Sequence, residues 1–255
     1  MRTLKLTLSY DGTRLVGWQR QAEGDSVQAL LEDALAKFEG APVTVHGAGR
    51  TDAGVHALGQ VASVRVAFTH DASMLARALN AHLPEDVRVL EVEEARAGFH
   101  ARFDARSKTY RYVIGNHGVA SPFGRAFVWH VPQPLHVEAM QDAAARLLGR
   151  HDFAAFRSVG TEVPDSTRTL TVSTVARAPA DGFRIGDGAS LVTYEVSGDG
   201  FLRHMVRTIV GTLVEVGRGW RDPAGMDALL RGRNRHAAGA TAPPHGLFLV
   251  RVEYD

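Results

Sequence analysis

Two hydrophobic periods run through this chain, and the order in which they occur does most to restrict its fold. Leu4, Leu6, Leu8 and Tyr10 alternate with Lys5, Thr7 and Ser9, the period of a half-buried strand, and Asp11–Gly12 closes the run in a turn. A helical period follows: behind Ser26, a candidate N-cap, Val27, Leu30, Leu31, Ala34, Leu35 and Phe38 fall on one face. The pattern predicts strands at Val61 to Val66, Val87 to Val92 and Lys108 to Asn116, and a helix from Ala72 to Leu83, where Pro84 stops it. In the second half it predicts a helix at Val137 to Leu148 and strands at Leu170 to Val175 and Leu191 to Val196. Helices at Phe201 to Val216 and Met226 to Leu230 follow, and Leu247 to Tyr254 forms a closing strand. Strands and helices mix without strict alternation, which points to α+β with antiparallel pairing and away from a doubly wound parallel sheet. Two similar halves are expected, residues 1–115 and 116–255, with the change inside the Gly/Pro-containing stretch from Gly115 to Pro134.

A chain of 255 residues has room for two halves that each bury a core. With 45% hydrophobic and 22% charged residues it has globular composition. The formal net charge is +1, so an RNA or DNA partner would have to be held by local patches and not by an overall field. The absence of cysteine removes disulfides, thiolate nucleophiles and Cys-ligated zinc or iron–sulfur chemistry together. No apolar run reaches the roughly 18 residues of a membrane span, so a cytoplasmic, soluble protein is expected.

The densest chemistry lies in Gly47 to Gln60, "GAGRTDAGVHALGQ", just after the strand-like run Val43 to His46. A dinucleotide fingerprint fails here: Asp52 stands where the third glycine should be, its charge would oppose a pyrophosphate, and no amphipathic helix follows. Asp52 could simply cap backbone amides in a turn. Against that reading, Arg50 is two residues away and Gly54 lets a large ligand approach, neither of which a turn needs. A carboxylate held beside a cation suits a nucleophile or a general base. The histidines at 46, 56, 100, 130, 151 and 204 lack metal-ligand spacing, and no G-x-S-x-G elbow occurs.

"GRTDAGVHA", Gly49 to Ala57, resembles the catalytic motif of the tRNA pseudouridine synthase A family. "YDGTRLVGWQRQ" (Tyr10 to Gln21), "SVQALLE" (Ser26 to Glu32), "LNAHLPEDV" (Leu79 to Val87) and "FHARFDARSKTYRY" (Phe99 to Tyr112) resemble segments of it in the same order. So do "HDFAAFR" (His151 to Arg157), "FLRHMVRTIVGTLVEVG" (Phe201 to Gly217) and "HGLFLVRVEY" (His245 to Tyr254). The likeness spans essentially the whole chain. It implies two ferredoxin-like halves sharing a long mixed, mainly antiparallel sheet flanked by helices, with an active cleft between the halves. It also implies an isomerase that turns uridine into pseudouridine at positions 38, 39 and 40 of the tRNA anticodon stem-loop, working as a homodimer without cofactor or metal.

Carried over residue by residue, the resemblance makes Asp52 the catalytic aspartate and Tyr110 the ring stacked on the target base. Arg207 becomes the partner of that aspartate and Arg50 an arginine on the RNA. Arg207 lies in an apolar helix, where an unpaired guanidinium would cost several kcal/mol to bury. Phosphate contacts are expected from Arg231, Arg233 and Arg235, or from Arg14 and Arg20. The alternative is a non-catalytic RNA-binding protein, which would have no use for a carboxylate inside the glycine segment.

Overall fold

The computed structural model describes every residue except 70, 159, 161–163 and 179–190. Two compact units emerge, one made of Met1–Lys108 with Phe248–Asp255, the other of Thr109–Leu247. A single cut at 115/116 makes no provision for the last strand, which belongs to the first unit.

In the first unit β1 (Arg2–Tyr10) is the central strand. It pairs antiparallel with β3 (His56–Val66) on one side and β4 (Val87–Ala95) on the other. β2 (Val45–Gly47) joins β3 antiparallel, and β10 (Leu247–Glu253) joins it in parallel through Phe248 opposite His56 and Leu249 opposite Ala57. The alternation in β1 does what its period predicts: Leu4, Leu6 and Leu8 are fully buried, each worth roughly 1.5–3 kcal/mol against exposure. α1 (Val27–Glu39) starts at Ser26, whose hydroxyl accepts the Ala29 N–H at 3.3 Å, and ends at Gly40 in the left-handed conformation. α2 (Ala72–Asn80) is shorter than its apolar period. Asn80 ends it by turning to β4, where its side chain donates to Val89 O and accepts the Val89 N–H, both at 2.8 Å.

The second unit holds most of β5 (Ser107–Gly115), then β6 (Trp129–His130), α3 (Val137–Ala145), β7 (Gly149–Asp152), β8 (Thr167–Ala178) and β9 (Leu191–Gly198). α4 (Met205–Gly217) and α5 (Gly225–Gly232) complete it. Its strands run in the order β5, β9, β8, β7; β8 is antiparallel to both neighbours, and the short β6 lies parallel to β5. The class is therefore α+β with mixed, mainly antiparallel pairing in each unit, as the periods required. α4 begins four residues later than its hydrophobic period suggests, because His204 sits at φ 63°, in the left-handed region that a side chain disfavours, and breaks the run from Phe201.

Candidate active site

Asp52 lies in the connection between β2 and β3, half-buried on a backbone fixed from several directions. Thr51 O accepts the Trp18 N–H at 3.0 Å, Asp52 O accepts the Val55 N–H at 3.1 Å, and the Gly54 N–H reaches Leu15 O at 3.4 Å. Gly54 adopts φ 77°, a turn that glycine enters without strain. Gly47 lets the buried Trp18 ring lie flat on the chain, since a Cβ there would fall 2.3 Å from that ring.

Below the loop runs a buried polar chain. The Tyr10 hydroxyl shares a 2.8 Å hydrogen bond with Thr51 Oγ1, and Gln60 Nε2 donates to the Tyr10 hydroxyl at 3.3 Å and to Gly49 O at 2.8 Å. Burial pushes the Tyr10 phenol up to about 12, with the Thr51 and Gln60 bonds pulling the other way, so it stays protonated at neutral pH. His56, 1% exposed, accepts the Gly12 N–H on Nδ1 at 3.0 Å and stacks on Phe248 with ring centroids 4.8 Å apart. The loop that presents Asp52 is thus bolted to the turn after β1 by hydrogen bonds, each worth about 1 kcal/mol net.

Sequence reasoning did not single out Tyr10, Thr51, Gln60 or His56 as supports. Their strand period shows which way they point, but only the pairing of β1 with β3, Leu8 opposite Gln60 and Tyr10 opposite Ala57, brings them under one loop. Arg50, on the same loop, is exposed to solvent.

Tyr110 and Arg207 belong to the second unit. Tyr110 is 7% exposed on β5 and meets Phe201 edge-on, with centroids 5.0 Å apart. Tyr112, two residues on, is fully buried: its hydroxyl donates to Pro243 O at 2.7 Å and its ring stands edge-on to Trp129. That is the ordinary role of a strand tyrosine. Burial raises the Tyr112 phenol, and the Arg207 charge works against the rise. Arg207 is half-buried on α4, and its Nε donates to Ala242 O at 2.8 Å while the Ala242 N–H bonds back to Arg207 O at 3.1 Å. Part of the guanidinium demand inferred from the apolar helix is therefore met by a backbone carbonyl.

Arg14, Arg20, Arg233 and Arg235, four of the arginines expected on phosphates, also have protein partners. Arg14 meets Asp86 at 2.7 Å, Arg20 meets Glu32 at 2.8 Å and Asp33 at 2.7 Å, and Arg233 meets Asp152 at 2.8 Å. Arg235 donates to Gly239 O and Thr241 Oγ1, both at 3.0 Å. The Arg14, Arg20 and Arg233 pairs have exposed arginine heads, and pairs of that kind are worth only about 0–1 kcal/mol, so phosphates can compete for them.

A pinned, glycine-lined acidic loop in a mainly antiparallel α+β chain is compatible with an enzyme acting on RNA, and comparison with known families supplies the class. The model for tRNA pseudouridine synthases matches residues 7–104 and 143–255, which include Asp52 and Arg207 but not Tyr110. The chain belongs to the tRNA pseudouridine synthase family. It is 44% identical over 254 residues to the tRNA pseudouridine synthase A of Geotalea uraniireducens, covering 100% of both chains. It is 46% identical over 251 residues to that of Methylacidiphilum infernorum, covering 98% of this chain and 94% of the relative. With the enzyme of the same name from Geobacter sulfurreducens it shares 45% over 258 residues, covering 100% of both.

Proposed function

We propose that this chain modifies uridines 38, 39 and 40 of the tRNA anticodon stem-loop with Asp52 as its catalytic carboxylate. Its family makes it an isomerase that turns uridine into pseudouridine in tRNA. The reaction breaks the bond from ribose C1′ to uracil N1, turns the base, and rejoins it through C5, which loses its proton while N1 takes one up from solvent. Atoms and electrons balance within the nucleotide, so the chemistry calls for no redox partner and no net hydrolysis.

One observation carries the reading. Asp52 is the carboxylate of a loop whose backbone is held at Gly49, Thr51, Asp52 and Gly54 while its side chain stays partly open. A group that must meet a sugar carbon or a base within a few tenths of an ångström needs such a mounting. Asp52 can act by attack on C1′, by addition to C6, or by removing the 2′ proton to give a glycal.

The target base must leave a paired stem, which costs a few kcal/mol. Arg50, exposed on the same loop, fills the vacated place or holds the flipped phosphate. Tyr110 offers an aromatic face to the uracil and a hydroxyl for the C5 proton. Arg207 completes the substrate-binding set through its charge. The chain works in the cytoplasm as a homodimer, a state that sedimentation reports directly.

The test uses unmodified tRNA carrying tritium at uridine C5. Wild-type protein releases tritium, and sequencing of the product places pseudouridine at 38, 39 and 40. Asp52→Asn binds the same tRNA with affinity close to wild type and releases none. Turnover by Asp52→Asn at the wild-type rate removes the aspartate from the mechanism, and modification elsewhere in the tRNA removes the stem-loop.

A further inference from the structure

Phe103 presents 75% of its surface to solvent, on a turn held so firmly that the exposure is built in. The neighbouring Ala101 is fully buried; its N–H donates to Ser63 Oγ on β3 at 3.0 Å and its carbonyl accepts the Tyr254 hydroxyl at 2.7 Å. The Phe103 and Asp104 N–H groups both bond His100 O, at 3.1 and 3.0 Å. Asp104 closes the turn by accepting the His100 N–H at 2.8 Å and pairing with Arg96 at 3.1 Å. An exposed apolar side chain alone is ordinary. One set on a rigid support has already lost the freedom that binding would otherwise remove.

The ring also continues a column. Phe103 lies 4.3 Å from His100 at 34°, and His100 lies 4.8 Å from His46 at 28°. The Arg102 guanidinium sits 5.7 Å from the Phe103 centroid. His100 Nδ1 accepts the Arg102 N–H at 3.1 Å, and burial, then the neighbouring His46, hold its pKa below the usual histidine value, so a neutral flat ring faces Phe103 at pH 7. Beside the column lies a pocket of about 310 Å³ whose walls include Arg96, Phe99, Arg106 and Tyr254. His46 stands on β2, four residues before Arg50, so the column rises from the strand that leads into the Asp52 loop.

We infer that the Phe103–His100–His46 column, with Arg102 at its rim, is a stacking site for an unpaired base of the RNA substrate. The inference rests on the reading above that the chain takes tRNA. A nucleobase matches the site in chemistry: a flat π surface extends the ring stack, and the following phosphate suits the guanidinium beside it. Stacking of this kind accepts any base, so the site positions the RNA and does not read its sequence.

Phe103→Ala and Phe103→Trp are compared with wild type for binding of unmodified tRNA at one salt concentration, with sedimentation of the free proteins alongside. Phe103→Ala weakens binding about tenfold or more. Phe103→Trp keeps wild-type affinity, and its added fluorescence, read against the shared background of Trp18, Trp129 and Trp220, is quenched by tRNA. Wild-type affinity in Phe103→Ala, or an added tryptophan that tRNA leaves unchanged, overturns the inference. A change in sedimentation with affinity intact also overturns it and gives the face to a second copy of the chain. Tritium release by wild type on the same tRNA separates the two levels: if it occurs and Phe103→Ala binds normally, only the stacking site fails. If it does not occur, the tRNA reading fails and the site loses its ligand with it.

Discussion

Tyr10 does its work through one oxygen atom. Its hydroxyl joins Thr51 to Gln60 beneath the Asp52 loop, so removing it leaves buried polar groups short of partners. Tyr10→Phe is expected to lower stability by about 1–2 kcal/mol in urea denaturation at neutral pH. If the network positions Asp52, the variant also loses kcat more than it gains in KM, a split that general loosening would not produce. The same atom sets an alkaline limit. The folded-state pKa is raised from the ordinary 10.0 to about 12, so above the ordinary value the unfolded chain has already lost a proton that the folded chain keeps. The Tyr10 contribution is thus complete below about 10 and fades as pH climbs towards about 12. Tyr10→Phe should make that part of the stability profile less steep, the remaining slope coming from the phenols of Tyr112, Tyr194 and Tyr254, which burial also raises, and an unchanged slope would show that Tyr10 contributes nothing to it. His100 acts on the acid side. Its folded pKa lies below the ordinary 6.5, so as pH falls through that interval the unfolded chain takes up the proton first and stability declines.

Among the elements, α4 shows how a tertiary neighbour overrules propensity. Replacing a helical glycine with alanine normally favours the helix by about 1 kcal/mol. At Gly211, however, a Cβ would fall 1.7 Å from Ala240 O, and that atom is backbone that cannot rotate aside. The chain crossing there leads to Ala242, whose carbonyl holds Arg207. Gly211→Ala is therefore expected to lower the melting temperature in spite of its better propensity, and to reduce turnover with it; a rise in melting temperature would mean that the crossing segment moves freely. Ser26→Ala is the simpler case: loss of the α1 cap costs about 1 kcal/mol. α1 could be read from its sequence because its cap and its apolar face are local. β6 and β7 could not, since two- and four-residue strands carry no period and exist only through their partners. The same holds for the first part of β3: His56 to Gln60 does not alternate in hydrophobicity and is drawn into a strand by β1 on one side and β10 on the other.

For the whole molecule, a net charge of +1 leaves substrate affinity to local arginines, many already paired with carboxylates. Binding of tRNA should weaken with salt, with a slope of log K against log[salt] of nearly one per phosphate neutralised on duplex stem. A flat salt profile would exclude phosphate contacts as the main source of affinity. The last strand matters to the first unit as a whole. Removing Phe248–Asp255 takes away the parallel partner of β3, the ring stacked on His56 and the Tyr254 bond to Ala101. That truncation is expected to abolish the cooperative unfolding of the first unit, as seen by circular dichroism in urea.

The sequence by itself determined the strand and helix periods, the α+β class, the Ser26 cap and the chemical character of the Gly47–Gln60 segment, because each depends on residues a few positions apart. The tertiary structure alone decided that Tyr10 and Gln60 support the loop between them, that Arg207 bonds a carbonyl 35 residues away, and that Phe103 faces water on a stack of two histidines. Those arrangements rest on strand register and chain crossings, in which the deciding contacts, such as Tyr10 with Thr51, Arg207 with Ala242 and His100 with His46, join residues far apart in the chain, so no local pattern can record them.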